Sequence, residues 1–163
     1  MTREYDDFSN INHKYDIQKK SFDAMSIPQE NKRLVHEFIE ACRLGVFQKK
    51  IGMQRGVRLL ASLKILCWML PEGKIWHDCK KQDIRSLLLQ IEERGVGDWE
   101  KYSERIALKK FITWLRTEYG YPEGYLDREK LMNMLLIMQV APEVKIHIER
   151  PNKLKSIDEI SVR

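Results

Sequence analysis

The chain has 163 residues, 43% hydrophobic and 33% charged, and its 29 basic and 24 acidic side chains leave a formal net charge of +5. That length suits one domain with tails and is enough to bury a real core. Three cysteines cannot all pair within one molecule, which excludes a disulfide scaffold, and no stretch approaches the roughly 18 uninterrupted apolar residues of a membrane span.

Residues 1–27 are polar, with scattered aromatics and no sustained period, and read as a flexible arm. Met1–Asn10 lacks the apolar core of a signal peptide, so a soluble, cytoplasmic protein is expected. Ser26-Ile27-Pro28-Gln29 offers a helix start, with Ser as cap and Pro in the first turn. The stripe Leu34, Val35, Phe38, Ile39, Cys42 continues that first helix, and Gly45 is its expected stop.

A long second helix is predicted from about Gln48 to Leu70, burying Gly56, Leu60, Leu63, Cys67 and Leu70, with Pro71-Glu72-Gly73 ending it. Gly52-x-x-x-Gly56 within it reads as close helix packing, and Cys42 and Cys67 as reduced thiols in apolar stripes. The third helix spans about Lys81–Glu93 on Ile84, Leu87, Leu88 and Ile91, stopping at Gly95-Val96-Gly97. Asp98 is the expected cap of the fourth, which buries Ala107, Leu108, Phe111, Trp114 and Leu115 and ends at Gly120-Tyr121-Pro122. Trp76 and Trp99 flank the third helix and are expected to pack over the bundle ends. Asp127–Val140, with Leu131, Met132, Met134, Leu135, Leu136 and Met138, predicts a further helix that is apolar nearly all round and must be covered. Residues 141–155 read as a linker, and Ser156-Ile157-Asp158-Glu159 opens another helix near the end of the chain, as expected of a piece of something longer. The fold class is all-α, with the four-helix unit over 28–122 and the additional helix and linker over 123–163.

The charge is unevenly placed. Residues 1–27 carry 4 basic and 5 acidic side chains (−1), residues 28–120 carry 18 and 12 (+6), and residues 121–163 carry 7 and 7 (0). Between Ala41 and Pro71 there is no acidic residue at all, while Arg43, Lys49, Lys50, Arg55, Arg58 and Lys64 fall inside that window. A one-signed helical face suits a polyanion, which makes nucleic acid the first partner to consider. A second basic row, Lys101, Arg105 and Lys109 with Tyr102 beside it, lies on the fourth helix.

Ala107-Leu108-Lys109-Lys110-Phe111-Ile112-Thr113-Trp114-Leu115, followed by Tyr121-Pro122, resembles the fourth helix of the N-terminal, SAM-like core-binding domain of tyrosine recombinases, the phage integrase and Xer-type family, and most of all its archaeal members. Lys80-Lys81-Gln82-Asp83-Ile84 resembles the T-x-E-D-I opening of that family's third helix, with Lys80 in place of Thr and Gln82 in place of Glu. The resemblance covers roughly residues 30–122, and Pro151 to Ile160 resembles the family's linker and the start of its catalytic domain.

The resemblance implies a four-helix bundle forming one half of a C-shaped clamp on double-stranded DNA, with the starts of the second and fourth helices toward the major groove. Both basic rows lie on those two helices. The candidate DNA-binding residues are Lys49, Lys50, Gln54, Arg55 and Arg58 on the second, and Lys101, Tyr102, Arg105 and Lys109 on the fourth. Lys and Arg suit phosphate contacts, while Gln54 or Arg55 suits base edges. Lys64 and Arg116, late in their helices, read as solvated. The implied partners beyond DNA are the parent protein's catalytic domain and other recombinase protomers.

The chain is not expected to be an enzyme. His147-Ile148-Glu149-Arg150 matches the family's catalytic H-x-x-R, but Pro151 follows it directly and no tyrosine lies beyond Tyr125 to act as nucleophile. No metal site is expected either: His77-Asp78-Cys79 are adjacent and lack a C-x-x-C or H-x3-H partner. No cofactor motif is present. The competing reading is a helical protein-interaction module that uses the Met-rich segment 127–140 and keeps its basic face for solubility.

Overall fold

A computed structural model describes residues 3–120, with side chains from Asn10 onward. Segment 127–140, the linker and the Ser156 capping box lie outside the described residues. The regular elements among them are all helices: α1 (Arg3–Asp23), α2 (Gln29–Leu44), α3 (Met53–Met69), α4 (Lys81–Glu93) and α5 (Asp98–Tyr119), with a single 3-10 turn over Trp76–Asp78. No described helix is long and apolar enough to cross a membrane.

The expectation of a loose arm is corrected by α1. It packs on α3 and is anchored by Phe22, which is fully buried, and by Tyr15, packed against the core. Lys64 of α3 donates to the Ser21 hydroxyl at 2.9 Å, so that lysine tethers α1 instead of merely solvating its helix. Lys32 closes the end of α1 by donating to the Asp23 carbonyl at 2.6 Å. A helix this polar gains its stability from tertiary contact more than from its own pattern.

The helix of residues 29–44 starts on Pro28, whose carbonyl accepts from Asn31 and Lys32; Ser26 lies two residues outside and caps nothing. Its end is as expected. Gly45 takes the left-handed conformation (φ 76°), and the Gly45 and Val46 amides return to the Cys42 and Ala41 carbonyls. The chain then loops back, the Ile51 amide donating to the Cys42 carbonyl at 3.1 Å. That return delays α3 to Met53, so Lys49 and Lys50 belong to the loop and not to the helix. Gly52 is the cap of α3 with open space around it, and Gly56, though buried, makes only ordinary contact with the Arg43 side chain, so neither glycine is required by close helix packing.

The bounds of α4 agree with the sequence pattern. At Lys80, where the family pattern has Thr, only half of a capping box forms: the Asp83 carboxylate accepts from the Lys80 amide at 2.8 Å. In α5, Gly97 is the cap and Asp98 the first helical residue.

The core is centred on Phe38, Trp76, Phe111 and Trp114, with ring centroids 5.3 Å apart for Phe38–Phe111 and 5.0 Å for Trp76–Phe111. Trp76 is held by buried Asn31, which accepts from its amide at 2.8 Å and donates to the Lys74 carbonyl at 2.8 Å. Arg116, expected to be solvated, is buried and donates to the Cys79 carbonyl at 2.7 Å and the His77 carbonyl at 3.2 Å, tying α5 to the turn before α4. Burial pushes the three thiols up, Cys42 to about 11 and Cys67 and Cys79 to about 12, so all are protonated packing groups.

Candidate nucleic-acid interface

α3 and α5 lie against one another, and basic side chains of both helices converge on the groove between them. Arg55, Arg58, Leu59 and Ser62 occupy the i, i+3, i+4 and i+7 positions of one helix face, and Tyr102, Ile106 and Lys110 stand at steps of four on the other. Together with Ser103 and Ala107 they line a cleft of about 280 Å³ that contains no acidic residue. Its walls are apolar at Leu59, Ile106 and Ala107; its rim carries two guanidiniums and an ammonium.

Both arginines are exposed and make no ion pair among the described residues, so neither loses a protein partner on meeting an anion. Tyr102 is held edge-on against Trp99 (5.6 Å between centroids), with the Arg105 guanidinium 6.0 Å from its ring. Such a ring offers a flat face and a hydroxyl beside the cationic rim. Arginine forks and lysine ammoniums on a concave, acid-free surface are the chemistry that holds phosphodiester oxygens.

The other expected residues are placed differently. Lys101 and Arg105 are turned to α4: the Lys101 ammonium donates to the Glu92 carbonyl at 2.8 Å, and Arg105 pairs with the Glu92 carboxylate at 3.1 Å. Lys109 is half-buried on α5 and does not line the cleft, and Gln54 is exposed on α3 one residue before Arg55. Lys49 and Lys50 are exposed in the α2–α3 loop. Lys110 was missed by sequence reasoning. The row Lys101–Arg105–Lys109 drew attention by its charge, while the row that faces α3 is its neighbour, Tyr102–Ile106–Lys110. Trp99 packs on Tyr102, consistent with a packing role at a bundle end.

No protein-family model matches the chain, and neither a curated protein nor a solved structure does. The functional reading therefore rests on the site itself.

His77, Asp78 and Cys79 diverge: the Cys79 thiol is buried and donates to the Ile75 carbonyl at 3.7 Å, Asp78 is exposed, and His77 stacks edge-on with Tyr119.

Proposed function

We propose that this chain binds duplex DNA through the α3–α5 cleft, as the core-binding module of a tyrosine recombinase whose strand chemistry belongs to a separate catalytic domain. The observation that supports the reading is the convergence of Arg55, Arg58 and Lys110 with Tyr102 on one concave surface free of carboxylates. In this role the cations neutralise backbone phosphates and set the register, Gln54 at the start of α3 reaches base edges, and the aromatic ring packs against the sugar–phosphate edge. The motif likeness in α5 and at Asp83-Ile84 supports the recombinase assignment specifically.

The test is fluorescence anisotropy of the whole chain with a labelled duplex of about 30 base pairs at several salt concentrations. Three cleft cations on phosphates give a log–log salt slope near −2.7, at about −0.9 per contact. A folded sample that fails to bind at low salt refutes the proposal and directs the search to a protein partner.

A further inference from the structure

A second cavity, of about 790 Å³, lies between α1, the C-terminal half of α2 and the loop that leads into α3. Three cations from three separate elements line it: Lys19 from α1, Arg43 from α2 and Lys50 from the loop. Glu40 is the one carboxylate on its wall, which leaves an excess of two positive charges, with His36 counted neutral. None of the three cations makes an ion pair among the described residues.

The wall is built, not incidental. Tyr15 and Lys19 stand four residues apart on one face of α1, and the Arg43 guanidinium lies over the Tyr15 ring at 5.4 Å from its centroid. The Arg43 stem passes beside Gly56 of α3, its Cδ at ordinary contact distance (3.7 Å) from where a Cβ would stand. The backbone at Lys50 is brought beside the left-handed turn at Gly45, where a Cβ would stand 3.1 Å from the Lys50 Cβ, and is held there by the return bond from Ile51 to Cys42. His36 is turned partly away, bonded to Asp23 at 2.8 Å.

We propose that this cavity takes a backbone phosphate of the bound duplex, and that α1 is thereby part of the DNA-binding surface. The inference rests on the duplex-binding reading above and extends it to residues outside the α3–α5 cleft. Lys50 and Gly52 on this wall lie within five residues of Arg55 in the cleft, which makes the two sites neighbours along the chain. Lys19 and Arg43 are then DNA ligands supplied by elements that the α3 and α5 rows do not include.

The experiment is the same salt titration on the full chain carrying Lys19→Ala with Lys50→Ala, beside a control carrying Lys14→Ala with Lys20→Ala. The control removes the same charge from exposed lysines that do not line the cavity. The expected result is a salt slope shallower by about 1.8 in the first variant, with affinity near 0.1 M salt lower by roughly tenfold per lost contact, and a smaller change in the control. Equal losses in the two variants reduce the effect to net charge and overturn the inference. So does an unchanged slope in a folded Lys19/Lys50 variant while the native chain binds DNA. Absence of binding by the native chain instead refutes the duplex reading itself. A titration with inorganic phosphate, followed by amide shifts at Tyr15 and Gly52, separates the sources. Saturable shifts that the double variant loses, with its duplex slope unchanged, identify a free phosphate as the occupant and overturn the backbone assignment.

Discussion

Arg105 and Glu92 face one another across the α4–α5 seam, guanidinium to carboxylate at 3.1 Å, and Lys101 reaches the same residue's carbonyl. The pair divides the basic residues of α5 into two groups. One side of the helix holds α4, while the adjacent row, five residues further on at Lys110, opens into the cleft beside Arg58. Charge alone does not distinguish them; the direction of each row does.

A comparison of alanine variants follows from that division. Lys110→Ala and Arg58→Ala are expected to make the salt slope of duplex binding shallower by about 0.9 each. Arg105→Ala is expected to leave the slope nearly unchanged and to alter stability by only about 0–1 kcal/mol, since Glu92 is 59% exposed and surface pairs contribute little. Equal slope changes at Arg105 and Lys110 in anisotropy titrations would remove the distinction.

The parts of this fold that were readable from sequence are those set by local pattern. α4 is bounded by Asp83 at its start and Gly95-Val96-Gly97 after its end, and the apolar steps of α2 and α5 became the core. The unreadable parts depend on distant contacts. α1 has too few apolar residues to declare a face, and it is ordered by Phe22 and Tyr15 meeting the bundle. Arg116 looks like a surface cation until the Cys79 and His77 carbonyls, 37 and 39 residues away, are brought to it. The later start of α3 goes with a loop that turns back on α2, where the Ile51 amide reaches the Cys42 carbonyl. For the site, Arg55, Arg58 and Tyr102 were legible as members of charged rows, but the facing of α5 that selects Lys110 over Lys109 comes only from its packing on α3.

Two glycines eleven residues apart, 45 and 56, should respond in opposite directions. Gly45 has φ 76°, and a Cβ there would stand 3.1 Å from the Lys50 Cβ, so Gly45→Ala combines backbone strain with a close contact. A loss of about 1–2 kcal/mol is expected. Gly56 lies in the first turn of α3 with only ordinary contact to Arg43, so Gly56→Ala should gain less than about 1 kcal/mol from helix propensity. Urea unfolding of both variants checks this, and a destabilised Gly56→Ala would show that the Arg43 stem cannot yield.

Asn31 tests whether the 74–76 segment is held by polar contacts or by Trp76 burial alone. Its side chain is 1% exposed and makes two 2.8 Å bonds, to the Trp76 amide and the Lys74 carbonyl. Asn31→Ala strands both backbone groups, and a loss of about 2–4 kcal/mol is expected at roughly 1–3 kcal/mol per buried unpaired group. Asn31→Asp keeps the acceptor for Trp76 but not the donor to Lys74, and it buries a charge, so it should not restore stability. Thermal unfolding that leaves the alanine variant within about 0.5 kcal/mol of the native chain would put the weight on the tryptophan instead.

Glu104 gives the fold a pH dependence of defined sign. The carboxyl is 1% exposed at the α4–α5 seam, with Arg94 Nη2 3.0 Å from its Oε2 and also bound to Glu100 at 3.2 Å. Burial raises its pKa above the ordinary 4.5, and the neighbouring Arg94 only partly offsets this. In the interval above 4.5 the unfolded chain has released that proton while the folded chain still holds it. Stability from this group is therefore greatest in acid and is lost as pH rises through the folded-state value. Glu104→Gln removes the titration and keeps the shape. The native chain should lose stability relative to this variant as pH rises above the ordinary 4.5, and the other carboxylates cancel in the difference. Denaturant unfolding of both proteins across that range measures it, and a difference that is flat with pH would mean that Arg94 compensates the buried charge in full.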